Sequence, residues 1–194
     1  MSNMSKSSEY KAEIIELLMK NNMVVKLLNP AMHDDLDLSE VLLGGEFEIN
    51  GEKITEQGYI FDYYFVDDTI TDTKSFIMVE VDSLVIEKGI FTSYVLHLWI
   101  CSHKSLVRLN EKSIPKLSEI KAEGYIGNRV DALCDAVDRM LNGKNAMKSG
   151  NIGDVKPYGE YKKVFFPNST SKFYGMHLMY KVRNENQVDV NCHV

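Results

Sequence analysis

The chain has 194 residues, 44% of them apolar types, and a net charge of −6 with a pI near 5.4. That length suits one domain whose core needs no disulfide or metal staple. The acidic balance argues against a protein whose main task is gripping nucleic-acid phosphates, but not against one past which DNA slides.

Cysteines Cys101, Cys134 and Cys192 are far apart and odd in number. They make neither a C-x-x-C pair nor a zinc pattern, so reduced thiols are expected. No apolar run approaches roughly 18 residues and no charged, apolar, small-residue leader opens the chain, so neither a membrane span nor a signal peptide is expected.

In chain order, residues Met1–Lys6 read as a polar tail. Ser7 and Ser8 are candidate N-caps for a helix whose stripe is Ile14, Leu17, Leu18 and Met19. The stripe continues through Val24, Val25, Leu27 and Leu28, with a break near Asn21-Asn22, and stops at Asn29-Pro30. Residues Ala31–Thr73 predict an insertion or an arm. His33–Leu38 is acidic and turn-like, and Glu46–Thr55 is a hairpin around Asn50-Gly51. Ile60–Val66 is an aromatic, strand-favouring run suited to the core or to a neighbour's sheet edge. Phe76–Asp82 and Ile90–Cys101 are two long strands, read as antiparallel because Ser83–Gly89 between them is short. Ser102–Tyr125 reads as a polar crossover. Asn128 caps a helix whose buried stripe is Val130, Leu133, Cys134, Val137, Met140 and Leu141, stopped by Asn142-Gly143. Its other face, with Arg129, Asp131, Asp135, Asp138 and Arg139, is expected to be wet or to meet a polar partner. Ile152–Tyr158, Tyr161–Phe166 and Lys172–Val182 are three further strand candidates, and residues 184–194 a flexible tail.

The organising stretch is Gly89–His103, the longest strand-like run. Period two puts Thr92, Tyr94, Leu96, Leu98 and Ile100 on one face. Phe91, Ser93, Val95, His97, Trp99 and Cys101 lie on the other, mixed face, which suits another sheet, another subunit or partial solvent. The fold class that follows is α+β. An antiparallel sheet of about four to five strands carries two helices on one face, with an inserted hairpin or arm, in a single domain spanning 1–194.

No pattern of a known catalytic chemistry runs through the sequence. There is no dinucleotide fingerprint, phosphate loop or nucleophile elbow. His97, Cys101 and His103 alternate on one strand, but no second cluster supplies further metal ligands. A metal-dependent nucleic-acid enzyme would have to use Glu80, Asp82 and His97, and the Glu-x-Lys string at Glu119–Lys121 falls in a connection, not on the pairing strand. Cys134 lies on an apolar helix stripe, where a thiol packs inertly. Lys144, Lys148, Lys156, Lys162 and Lys163 form the one basic enrichment. No catalytic residue, cofactor or metal site is expected.

Several strings resemble tailed-phage tail terminator or tail completion proteins. These are the helix Ile14–Leu28, the strand pair Phe76–Asp82 and Ile90–Cys101, Gly127–Asp131 opening a helix that closes at Leu141–Gly143, and the strand at Tyr180–Val182. The resemblance covers residues 10–30 and 74–183, and 31–73 departs from the minimal pattern. It implies a non-enzymatic virion protein, assembled in the bacterial cytoplasm as a homo-hexameric ring. Such a ring caps the tail tube and joins it to the neck or connector protein. It meets the tail sheath where the tail has one, and lets DNA pass through its lumen without specific binding. The interface candidates are Tyr63, Tyr64, Phe65, His97, Trp99, Arg129, Lys162 and Lys163.

Overall fold

The computed structural model describes residues 3–32, 34–64, 72–87, 91–111, 114, 116–142, 154–159, 162–164 and 172–183. The expected tail 184–194, together with His33, Phe65, Val66, Cys192 and His193, lies outside the described residues.

The first helix divides as its composition predicts. Helix α1 (Asn3–Lys20) stops at Asn21, whose side chain accepts from the amides of Met23 and Val24 and so caps α2 (Asn22–Leu28). Asn29 then takes the left-handed conformation, φ 52°, and returns its amide to the Val25 carbonyl. Helix α1 begins earlier than the serine caps predicted. Ser7 lies inside it, and its hydroxyl donates to the Val81 carbonyl at 3.0 Å, tying the helix to the sheet.

The acidic turn after α2 holds a short helix, α3 (Leu38–Leu43), that composition alone did not reveal. Asp37 and Glu40 form a reciprocal capping box around its first turn, and Val41 and Leu42 are fully buried. The expected hairpin follows as β1 (Gly45–Ile49) and β2 (Glu52–Glu56), with Asn50 and Gly51 both at positive φ. Beyond it, Gly58 lies against the end of α3. A Cβ there would sit 2.2 Å from the Leu43 carbonyl oxygen, so only glycine permits the approach. Tyr59 then donates its amide to the Leu42 carbonyl. The aromatic run contributes one short strand, β3 (Ile60–Phe61), pairing parallel with the next. With Val41, Leu42, Tyr59 and Ile60 in the core, residues 34–64 pack on this chain's own domain.

Among the described residues the main sheet has six strands. Besides β3 they are β4 (Ser75–Glu87), β5 (Phe91–His103), β6 (Asp154–Pro157), β7 (Lys162–Val164) and β8 (Phe173–Arg183). The order is β3-β4-β5-β8-β6, with β7 also on β8, and every pairing except β3–β4 is antiparallel. The expected Ser83–Gly89 connection is mostly strand. Leu84, Val85 and Ile86 are types that favour the pleat, and β4 runs on to Glu87 through an irregularity in the ladder.

The two faces of β5 divide as the period-two pattern requires. Tyr94, Leu96, Leu98 and Ile100 are wholly buried in the larger core, with Ile77 and Val79 of β4 and Leu178 and Tyr180 of β8. Helices α1, α2 and α5 (Arg129–Leu141) cover this face. Asn128 caps α5 by accepting from the Val130 and Asp131 amides. The crossover holds one more short helix, α4 (Leu117–Ala122), which buries Leu117 and Ile120 and pairs its Glu119 with Lys26 of α2 at 2.7 Å.

Arg129 corrects the wet-face reading of α5. It is 1% exposed, and its guanidinium donates to the carbonyls of Leu27 at 2.8 Å and Leu106 at 3.0 Å. Burial lowers the Arg129 pKa to about 10, which still leaves a cation at neutral pH. Arg129 is an internal bolt between α2, α5 and the turn that follows β5.

Candidate interaction face

Among the described residues the second face of the sheet carries no helix layer. Its centre is a small apolar cluster of Phe76 and Met78 from β4, Cys101 from β5 and Phe173 from β8. Gly175 allows β8 to lie this close. A Cβ there would come within 2.8 Å of Cys101 Sγ and 2.9 Å of the Ile100 carbonyl.

Next to this cluster stands a stack of flat rings. Trp99 lies parallel to His177, with centroids 4.6 Å apart and planes 3° apart. The register explains the match, because Trp99 and His177 are direct cross-strand partners. His97, two residues along β5, stacks on both rings. Its Nδ1 lies 2.9 Å from His177 Nε2, so one imidazole donates to the other. Its Nε2 lies 3.3 Å from an oxygen of Asp82, which is 70% exposed at its side chain. Tyr64 folds over from the segment after β3 and meets Trp99 at 4.6 Å, and Tyr63 packs edge-on to Phe61. Tyr63 and Tyr64 nevertheless remain 52% and 46% exposed.

The structure therefore brings four of the expected residues together: Tyr63, Tyr64, His97 and Trp99. Lys162 and Lys163 belong to β7, where they stand opposite His177 and Met176 in the register. Arg129 is remote and internal. His177 and Phe61 complete the face without having been singled out. The alternation of β8 had placed His177 beside Phe173 and Gly175, but the register that lays β8 against Trp99 is a tertiary fact.

The enzyme-like constellations separate. Glu80 is held by Lys11 at 2.7 Å, while Asp82 turns to His97. His103 pairs with Ser105 Oγ at 2.7 Å, and burial, then Lys172 and Lys104, lower its pKa. Cys101 is sealed in the apolar cluster. Among the described residues no three metal-ligating side chains converge. Burial, aided by Asp131 and Asp138, pushes the Cys134 thiol far up, so it carries no thiolate at neutral pH.

A concavity of about 820 Å³ lies between α1 and the Leu43–Tyr63 corner, with Lys11, Ile15, Gln57 and Phe61 among its walls. Lys11 is already committed to Glu80 and the Asp62 carbonyl. Beside it Lys74, 6% exposed, donates to the Gln57 carbonyl and sits 5.1 Å from the Tyr59 ring centroid. Burial lowers the Lys74 pKa to about 8, against which Asp72 and Glu56 act weakly. The unfolded chain therefore binds the extra proton between pH 8 and about 10.5, and stability from this group rises with pH across that window. Urea unfolding of wild type and Lys74→Met, followed from pH 7 to 10, should show the difference moving steadily in favour of wild type. A pH-independent difference would show that Lys74 is not desolvated.

No curated protein matches the chain by sequence. A family model described as YomW, a name from a Bacillus phage-type gene cluster that points to a phage-associated protein, matches residues 13–182, and the chain belongs to that family.

Proposed function

We propose that this phage-associated protein is a non-enzymatic, ring-forming virion component. It acts as a tail terminator or completion protein, capping the tail tube and joining it to the neck. The observation that carries this reading is a sheet whose helices, among the described residues, all lie on one face. Helices α1, α2 and α5 cover one face, while the other presents Trp99, His97, His177 and two half-exposed tyrosines, with no layer among the described residues above them. Half-exposed aromatic rings of this kind are the material of a protein contact. In this reading the aromatic face seats against the next part of the tail, and copies of the chain close a homo-hexameric ring around it. The net charge of −6 suits a lumen through which DNA slides without sticking. A neck or head-closure ring, or the tube itself, would use the same surfaces and differs in copy number and position within the particle.

Sedimentation and native mass measurement of the pure protein, alone and with purified tail tubes, test the proposal. A six-membered ring, or recruitment to tube ends, is expected. A chain that stays monomeric in both conditions and does not pellet with tubes overturns it.

A further inference from the structure

The main sheet has two edges of opposite character. At one edge β3 covers β4 only at Ile77 and Met78. Beyond that, α1 touches β4 through Ser7 on the Val81 carbonyl and Lys11 on Glu80. From Asp82 to Glu87 no described strand lies on the outer side of β4. This border carries exposed Asp62, Asp72 and Asp82, half-buried Glu80, and Glu87 at the strand's end; Lys11 pairs with Glu80 and Lys74 with Asp72, and the acids outnumber these lysines. At the other edge β7 and β6 follow one another along β8. That border carries Lys162 and Lys163 in β7 and an exposed Lys156 in β6, beside Lys181 of β8.

We infer that copies of this chain join side to side, the acidic β4 border of one against the lysine border of β6 and β7 of the next. This deepens the ring reading above and rests on it. The charges decide the symmetry. A two-fold contact would set acid against acid or lysine against lysine, and both repel. The attractive pairing is head-to-tail, which generates a closed ring or an open filament. Pro157 and the irregularity in β4 keep a main-chain ladder from running far along either border. Opposed side chains therefore carry the contact, and it weakens with salt. The aromatic face stays free for the axial neighbour.

Two charge-reversed chains test this. One carries Lys156→Glu and Lys162→Glu, the other Asp82→Lys and Glu87→Lys. Each alone loses the charge contrast between its two borders and should self-associate at least about tenfold more weakly than wild type by sedimentation. Mixed together, each border meets its opposite, and assembly should return. Unfolding midpoints near wild type confirm that both variants fold. The wild-type assembly should also loosen between about 50 and 500 mM salt, a measurement that needs no variant. If wild type assembles but neither reversal nor salt matters, the edge contact is wrong and the ring reading stands. If both reversals dissociate the assembly and mixing fails to restore it, the borders are not each other's partners. A wild type that never assembles, even with tubes, removes the ring reading itself.

Discussion

Replacing Arg129 by alanine should cost about 4 kcal/mol of stability, the largest effect of any single substitution outside the apolar core. The guanidinium donates charge-assisted hydrogen bonds inside the protein to the carbonyls of Leu27 and Leu106, and Arg129 is 1% exposed. Alanine strands both carbonyls and leaves a void between α2 and α5. A methionine side chain in its place would keep most of the stem's volume and lose only the fork, so Arg129→Met should cost about half as much. Urea unfolding of both variants measures this. A loss below about 1 kcal/mol for alanine would mean that water replaces the guanidinium, and that the bolt is not structural.

The second large effect is on assembly. Trp99→Ala removes the ring that links Tyr64 to His177. Because Trp99 is only partly buried, the stability cost should be about 2 kcal/mol, below that of a fully buried tryptophan. The domain should therefore stay folded, while co-sedimentation with tail tubes falls by about tenfold or more, as for an aromatic anchor in an interface. Trp99→Phe should keep much of the binding. A folded Trp99→Ala protein that pellets with tubes like wild type would remove the aromatic face from the contact.

Much of the fold was legible because local chemistry and tertiary structure agree. Asn21, Asn29 and Asn128 cap helices where their sequence context says they should. Asn50-Gly51 makes the hairpin, and the period-two division of β5 holds at each buried position. What the pattern hides is short or non-local. Helices α3 and α4 have six residues each, too few for a 3.6-residue period to show. Arg129 reads as a surface residue because it bonds main-chain carbonyls, those of Leu27 and Leu106, which no side-chain pattern reveals. The interaction face was half legible. Trp99 and His97 stand out on their strand, but their stacking partner His177 lies 80 residues from His97 and meets it only through the β5–β8 register. Of the basic candidates, Lys162 and Lys163 fall on the outer strand β7, opposite His177 and Met176.

The strand order also governs how the chain is made. β8, the last described strand in sequence, lies inside the sheet, with β5 on one side and β6 and β7 on the other. During synthesis β4 and β5 emerge as a hairpin with one long bare border and an uncovered apolar face, because α5 and β8 are still to come. The ties that seat the first helices, Ser7 to Val81 and Leu27 to Arg129, span 74 and 102 residues. The half of the sheet beyond β5 cannot close before residue 183 has left the ribosome. Folding is then a late, concerted event that inserts β8 as a keystone, and the half-made chain is a client for whatever in the host shields bare strands.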